Sequence, residues 1–211
     1  MRVETYGQSR PQEGRQHTQN QDAYAIGQVP IPYVALCDGA GNAQGVAKRA
    51  LSLLQTFLKE ATLGEVLREE TWIRWTKGLD SALLGGAETT LVAAAVLGNQ
   101  VAGVVVGDSR SYVVPLEGPT DFVTSKASKA RLGSGEAEAA PLRALLSPRD
   151  VLVLLTDGAW GPLGTHGVEK AVRSAVLKHF SEVPQAILDS AAKHGRADDM
   201  TAVVLRLMAS G

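Results

Sequence analysis

The sequence predicts an α+β fold in which two antiparallel sheets pack as a sandwich between pairs of helices. Three observations carry this. Two apolar runs, residues 89–97 and 100–106, are joined by Gly98-Asn99, a dipeptide that tolerates the positive φ of a tight hairpin turn. Helical periodicity occurs in adjacent pairs of segments and does not alternate with single strands. The resulting order is strands, two helices, strands, two helices and a last strand, which favours α+β over repeated βαβ units.

Taken in order, residues 3–7 and 24–26 predict short strands around a polar loop, and 31–36 an apolar strand that ends at Asp38-Gly39. In residues 45–63, Val46, Ala50, Leu53, Leu54, Phe57 and Leu58 recur at helical spacing. Residues 65–84 predict a second helix, with Val66, Trp72, Trp75, Leu79 and Leu83 on one side and Gly78 as a weak point. The spacing of Trp72 and Trp75 favours a core-facing pair over a partner-docking patch. The second hairpin strand runs into Gly107-Asp108-Ser109-Arg110, and a third strand, 111–114, stops at Pro115. Residues 115–148 are rich in Ala, Ser, Gly and Glu without a long apolar period, which predicts a surface excursion with one short helix. A buried strand over 151–155 ends at Thr156-Asp157-Gly158. Segments 168–180 and 184–194 are helical in pattern, the second capped by Gly195. Asp198-Asp199 precedes a final strand over 201–208. No repeat or domain boundary is visible, so residues 1–211 are expected to form one domain.

Bulk properties narrow the function. A chain of 211 residues, 45% apolar and 20% charged, has the length and composition of a globular domain with a sizeable core. A net charge of −1 provides no global field for nucleic acid or an anionic membrane. The single cysteine, Cys37, excludes an intrachain disulfide and fits a reducing compartment. Lying inside an apolar strand, it reads as a small buried residue and not a nucleophile. The N-terminus lacks the apolar stretch of a signal peptide, and no run approaches the ~20 residues needed to span a bilayer. The expectation is a cytosolic protein.

The acids are the informative pattern. Asp38, Asp108 and Asp157 each follow an apolar strand, while Asp22 and Asp198 each precede one. A fold that brings these strand ends to one edge gathers five carboxylates. Such a group repels itself unless some members stay protonated or a hard divalent cation intervenes. Mg²⁺ and Mn²⁺ prefer such oxygen ligands and can activate water against a phosphate. Taken singly, an Asp-Gly after a strand reads as a turn. The repetition at successive strand ends is what favours a metal site.

These residues resemble the metal-dependent protein phosphatases, the PPM or type-2C serine/threonine phosphatase family. The matching pieces are Gly14 with Asn20-Gln21-Asp22, Val34 to Gly39, Thr89-Thr90, Gly107-Asp108-Ser109-Arg110, Asp150 to Trp160, and Asp198-Asp199-Met200-Thr201. They span nearly the whole chain. The resemblance implies an αββα sandwich with two, or with a weaker site three, Mg²⁺ or Mn²⁺ ions between the sheets. By position, Asp38 would bridge two metals, Gly39 would offer its carbonyl, and Asp157 and Asp198 would complete the first site. Asp22 would act on the second, and Asp108 with Asp157 would form the third. Asp38, Asp157 and Asp198 are thereby the implied catalytic residues, and water bridging two metals the implied nucleophile.

The chain also departs from the family pattern. An arginine that grips phosphate often stands five positions before the Asp22 equivalent; here that position is His17, with Arg15 nearby. Gln21 replaces a frequent Glu, and Ala40 a histidine of eukaryotic members. The 115–148 stretch is shorter than the usual flap-bearing segment. Together these traits resemble compact bacterial members of stress-response and sporulation (stage II E) systems. That implies a phosphorylated regulatory protein as partner, of the STAS or anti-sigma partner-switching type, with no nucleic acid and no membrane. The alternatives are a pseudophosphatase that binds a phosphoprotein and an esterase of small phosphoesters. His166, following the Asp157 loop, is a further candidate for the site mouth.

Overall fold

The computed structural model describes residues 2–16, 19–40, 45–122, 129–195 and 198–208. Twelve strands and five helices follow one another among them. The strands are β1 (Arg2–Arg10), β2 (Ala23–Gly27), β3 (Tyr33–Cys37), β4 (Gly39–Ala40), β5 (Glu88–Thr89), β6 (Leu91–Leu97), β7 (Gln100–Val106), β8 (Arg110–Pro115), β9 (Asp121–Phe122), β10 (Ala140–Leu145), β11 (Asp150–Leu155) and β12 (Met200–Met208). The helices are α1 (Val46–Glu60), α2 (Leu63–Val66), α3 (Glu69–Leu83), α4 (Asp157–Val176) and α5 (Val183–Ala192). One sheet has the order β1-β12-β11-β8-β9, the other β10-β7-β6-β3-β2, and β4 pairs with β5 alone. Every named strand pair is antiparallel.

Alternation along the strands divides the apolar residues among three layers. Val34 and Leu36 of β3, Val92 and Ala94 of β6, Leu152 and Leu154 of β11, and Val203 and Leu205 of β12 fill the space between the sheets. The neighbours of opposite parity in one sheet, such as Ala35, Cys37, Leu91 and Ala93, pack on α1 and α3. Those in the other, such as Val151, Val153, Ala202 and Val204, pack on α4 and α5. The predicted αββα sandwich is therefore present. Trp72 and Trp75 are buried against α1 and meet edge to face at 5.1 Å.

Three elements differ from expectation. The helix over 65–84 is two helices. A capping box between Thr62 and Glu65 starts the short α2, and Trp72 Nε1 donates to the Val66 carbonyl across the break. Apolar periodicity runs through this break because both pieces face the same core. The excursion over 115–148 carries no helix among its described residues. Instead β9 and β10 extend opposite sheets, and Leu142 of β10 is buried between them. The helix expected from residue 168 begins at Asp157, with a kink at Gly164, where φ is 58°.

Candidate metal centre

Antiparallel pairing decides which acids meet. Ala23 at the start of β2 pairs with Cys37 at the end of β3, so Asp22 and Asp38 emerge together. Leu155 at the end of β11 pairs with Ala202 near the start of β12, which brings Asp157 beside Asp198. Leu36 of β3 pairs with Val92, and Leu91 with Val106, so the end of β7 delivers Asp108 to the same edge. Gly107, at φ 85°, makes the bend that a residue with a side chain rarely adopts.

Asp38, Asp108 and Asp157 each offer an oxygen, and these oxygens all lie within 4.8 Å of one another. Asp38 and Asp157 face each other closely enough that each perturbs the ionisation of the other. Burial pushes the Asp38 carboxyl up to about 9, with the charges of Asp22 and Asp157 adding to the effect. Asp157 is raised by burial and then by Asp108 and Asp198. Asp198 is exposed and acts on both Asp157 and Asp22 through its charge.

Backbone clamps fix the position of Asp38. Its amide donates to Thr90 Oγ1 at 3.0 Å, and its carbonyl accepts from Thr90 N at 2.9 Å and Thr89 Oγ1 at 2.8 Å. Gly39 is buried and pairs with Thr89. A Cβ on Gly39 would lie 2.8 Å from the Gln21 carbonyl, and one on Gly158 would lie 2.1 Å from the Asp199 carbonyl. Both glycines thus sit in regular elements, β4 and α4, and are there because another backbone passes close. The turn reading of the two Asp-Gly pairs is replaced by close approach.

Asp22 is almost fully buried, and a ring of hydrogen bonds orients it. Its Oδ2 accepts from Thr201 Oγ1 at 2.7 Å and Thr156 Oγ1 at 2.9 Å. Its amide donates to Asn20 Oδ1, and Asn20 Nδ2 in turn donates to Ser9, whose hydroxyl contacts Thr201 at 2.7 Å. Burial lifts the Asp22 carboxyl to about 7; the two threonine hydroxyls oppose this, and the Asp199 and Asp198 charges reinforce it. Thr156 is the N-cap residue of α4, yet its hydroxyl makes no cap bond and serves Asp22.

The donor set fits a hard divalent cation. It consists of carboxylates alone, and the buried atoms Asp22 Oδ1 and Asp157 Oδ1 have no hydrogen-bond partner among the described residues. A buried acceptor without a donor is costly, and a cation removes that cost.

Several residues at this edge escaped the sequence reading. Asp199, next to Asp198, is buried and accepts from Gln12 N, Gln21 N and Arg15, which fastens the 11–22 loop. Arg131 pairs with Asp108 at 3.1 Å. The threonines adjoining the acids, Thr89, Thr90, Thr156 and Thr201, were signals that could have been read. His17 lies outside the described residues. His166 is an exposed residue of α4 and not part of a loop. Burial pushes the Cys37 thiol far up, in keeping with an inert buried residue.

This architecture is the fold of bacterial serine/threonine phosphatases. A phosphatase of S. agalactiae is 18% identical, with a TM-score of 0.84 over 98% of this chain and 100% of that one. Stp1 of Staphylococcus aureus is 19% identical, with a TM-score of 0.82 over 99% and 96%. The catalytic domain of PstP, a phosphatase of Mycobacterium tuberculosis, was solved with two manganese ions and is 19% identical, with a TM-score of 0.79 over 98% and 99%. The family described as Stage II sporulation protein E (SpoIIE) matches residues 34–208, and the chain belongs to it. No curated protein matches the chain. No described helix is long and apolar enough to cross a membrane.

Proposed function

We propose that this protein is a Mg²⁺- or Mn²⁺-dependent phosphatase that hydrolyses phosphoserine or phosphothreonine on a regulatory protein. The observation that carries the reading is the set of three carboxylates within 4.8 Å, beside two buried carboxylate oxygens that lack donors, at the sheet edge of this fold. Asp38, Asp157 and Asp198 would hold one cation, Asp38, the Gly39 carbonyl and Asp22 a second, and Asp108 with Asp157 a weaker third. Such cations supply Lewis-acid polarisation of the phosphoester and activate water near neutral pH. The two manganese ions of the PstP complex support the count.

The chain's own residues contribute placement. Thr89 and Thr90 hold Asp38, and Thr156 and Thr201 hold one oxygen of Asp22 while the other has no donor among the described residues. Membership of the sporulation stage II E family supports a phosphorylated partner-switching regulator, of STAS or anti-sigma type, in the cytoplasm.

Hydrolysis of p-nitrophenyl phosphate with Mn²⁺, Mg²⁺ or EDTA tests this. The wild type should turn over only with metal, and Asp157→Asn should lose roughly 100-fold or more, beyond what even outer-shell partners command. A wild type inactive with every metal would leave a phosphoprotein-binding module in its place.

A further inference from the structure

We propose that Arg131 grips the phosphoryl group of the substrate, and that Asp80 of α3 is a positioning residue that sets it there. The inference rests on the phosphatase reading above.

A phosphomonoester approaching this edge meets carboxylates on every side. Bound cations neutralise them, but selecting the phosphoryl oxygens takes directed donors, and a guanidinium presents these in a fixed fork. Arg15, Arg110 and Arg131 stand near the acids. Arg15 reaches Asp199 and Gln21 in the 11–22 loop, and Arg110 lies over the Trp160 indole at 3.2 Å from its centre. Arg131 faces the cluster itself. Its Nη2 lies 3.1 and 3.3 Å from the two oxygens of Asp108, and its charge also acts on Asp38 and Asp157. Its side chain is 23% exposed, so it lies at the boundary between the cluster and solvent. The contact with Asp108 consumes only part of a guanidinium's donor capacity.

The placement of Arg131 is built from the helix side. Asp80 is buried on α3, and its carboxylate accepts from the amides of Gly133 at 2.7 Å, Gly135 at 3.1 Å and Ala137 at 3.2 Å. Leu132, the residue after Arg131, exchanges two backbone hydrogen bonds with Thr89. Thr89 is also the residue whose hydroxyl holds the Asp38 carbonyl. One threonine therefore ties Arg131 and Asp38 to a common frame. Gly133, at φ 95°, makes the turn between Leu132 and the Asp80 staple. An excursion on a protein surface needs no buried carboxylate to hold it unless its position matters.

The test compares wild type, Arg131→Ala, Arg131→Lys and Asp80→Asn. Three quantities are read: Mn²⁺ affinity, the affinity of the Mn²⁺-loaded protein for inorganic phosphate by calorimetry, and KM and kcat for p-nitrophenyl phosphate. Arg131→Ala should weaken phosphate binding and raise KM by about 10- to 100-fold, the range of a charge-assisted hydrogen bond. Arg131→Lys should fall between it and wild type, and Asp80→Asn should shift both values the same way by a smaller factor. Mn²⁺ affinity should hold or tighten. Unchanged phosphate binding and KM in Arg131→Ala overturns the proposal, as does a loss that merely tracks lost Mn²⁺ binding or a lowered Tm. If Asp80→Asn fails to fold, the two Arg131 variants decide alone. A wild type that binds phosphate without turnover overturns the phosphatase reading, and the phosphate titrations of the variants still decide on Arg131. A wild type that does neither overturns both.

Discussion

Two sets of buried or half-buried carboxylates in this molecule are treated in opposite ways. Asp80 and Asp199 are each surrounded by backbone amides: three donate to Asp80, while two amides and an arginine serve Asp199. Asp22, Asp38 and Asp157 are crowded by one another, and two of them keep an oxygen without any donor among the described residues. The first set holds loops; the second is left unsatisfied by the protein. The difference teaches that burial alone does not mark a reactive acid. What marks it is a deficit of hydrogen-bond donors that a cation can fill.

The sharpest way to break the comparison is to neutralise one unsatisfied acid. Asp38→Asn should abolish metal-dependent turnover by more than about 100-fold, while raising Tm in EDTA near neutral pH, because Asn removes a carboxyl that the fold keeps protonated and that ionises on unfolding. The same logic fixes the pH dependence of the metal-free protein. From an ordinary value of 3.8, the carboxyls of Asp38 and Asp22 rise to about 9 and about 7 on folding. The folded state then binds more protons than the unfolded state across that interval. Stability in EDTA should therefore be greatest at acid pH and fall as pH climbs from about 4 toward 9. Mn²⁺ should flatten the slope, since it takes the place of the protons. Calorimetric Tm against pH, with and without metal, reads this directly. A flat EDTA profile would mean that the cluster is not strained.

The satisfied set should respond in stability first. Asp199→Ala leaves the amides of Gln12 and Gln21 without their acceptor, and should cost about 3 kcal/mol in denaturant unfolding, with or without metal. If the loss appears only in metal-loaded protein, Asp199 belongs to the metal set and the division between the two sets fails.

Much of this was legible from the chain. Strand-end acids repeat along the sequence, and antiparallel pairing turns that repetition into a shared edge, where Asp38, Asp108 and Asp157 converge and Asp22 and Asp198 act on them through their charges. The staples could not. Asp80 lies on a helix face that reads as amphipathic, and its partners are backbone amides more than fifty residues away, which leave no trace in residue type. Arg131 falls in a stretch without periodicity, where the bridge from Leu132 to Thr89 and the Asp80 staple give it a place. The break between α2 and α3 was hidden because Val66 and Trp72 serve one core from either side of it.

Gly158 joins the two sets and gives the mildest test. It follows the unsatisfied Asp157, and its α-carbon faces the carbonyl of the satisfied Asp199, where a Cβ would lie at 2.1 Å. That neighbour is backbone and cannot swing away as a flexible side chain would, so Gly158→Ala must push the start of α4 from the 198–199 loop. A shift of this kind in a packed region should cost about 1–3 kcal/mol. It should also weaken Mn²⁺ binding, because Asp157 and Asp198 lie on the two sides being separated. Loss of stability with unchanged Mn²⁺ affinity would show that the two sets of acids are mechanically independent. Loss of both would show that the staple at Asp199 holds the metal centre together.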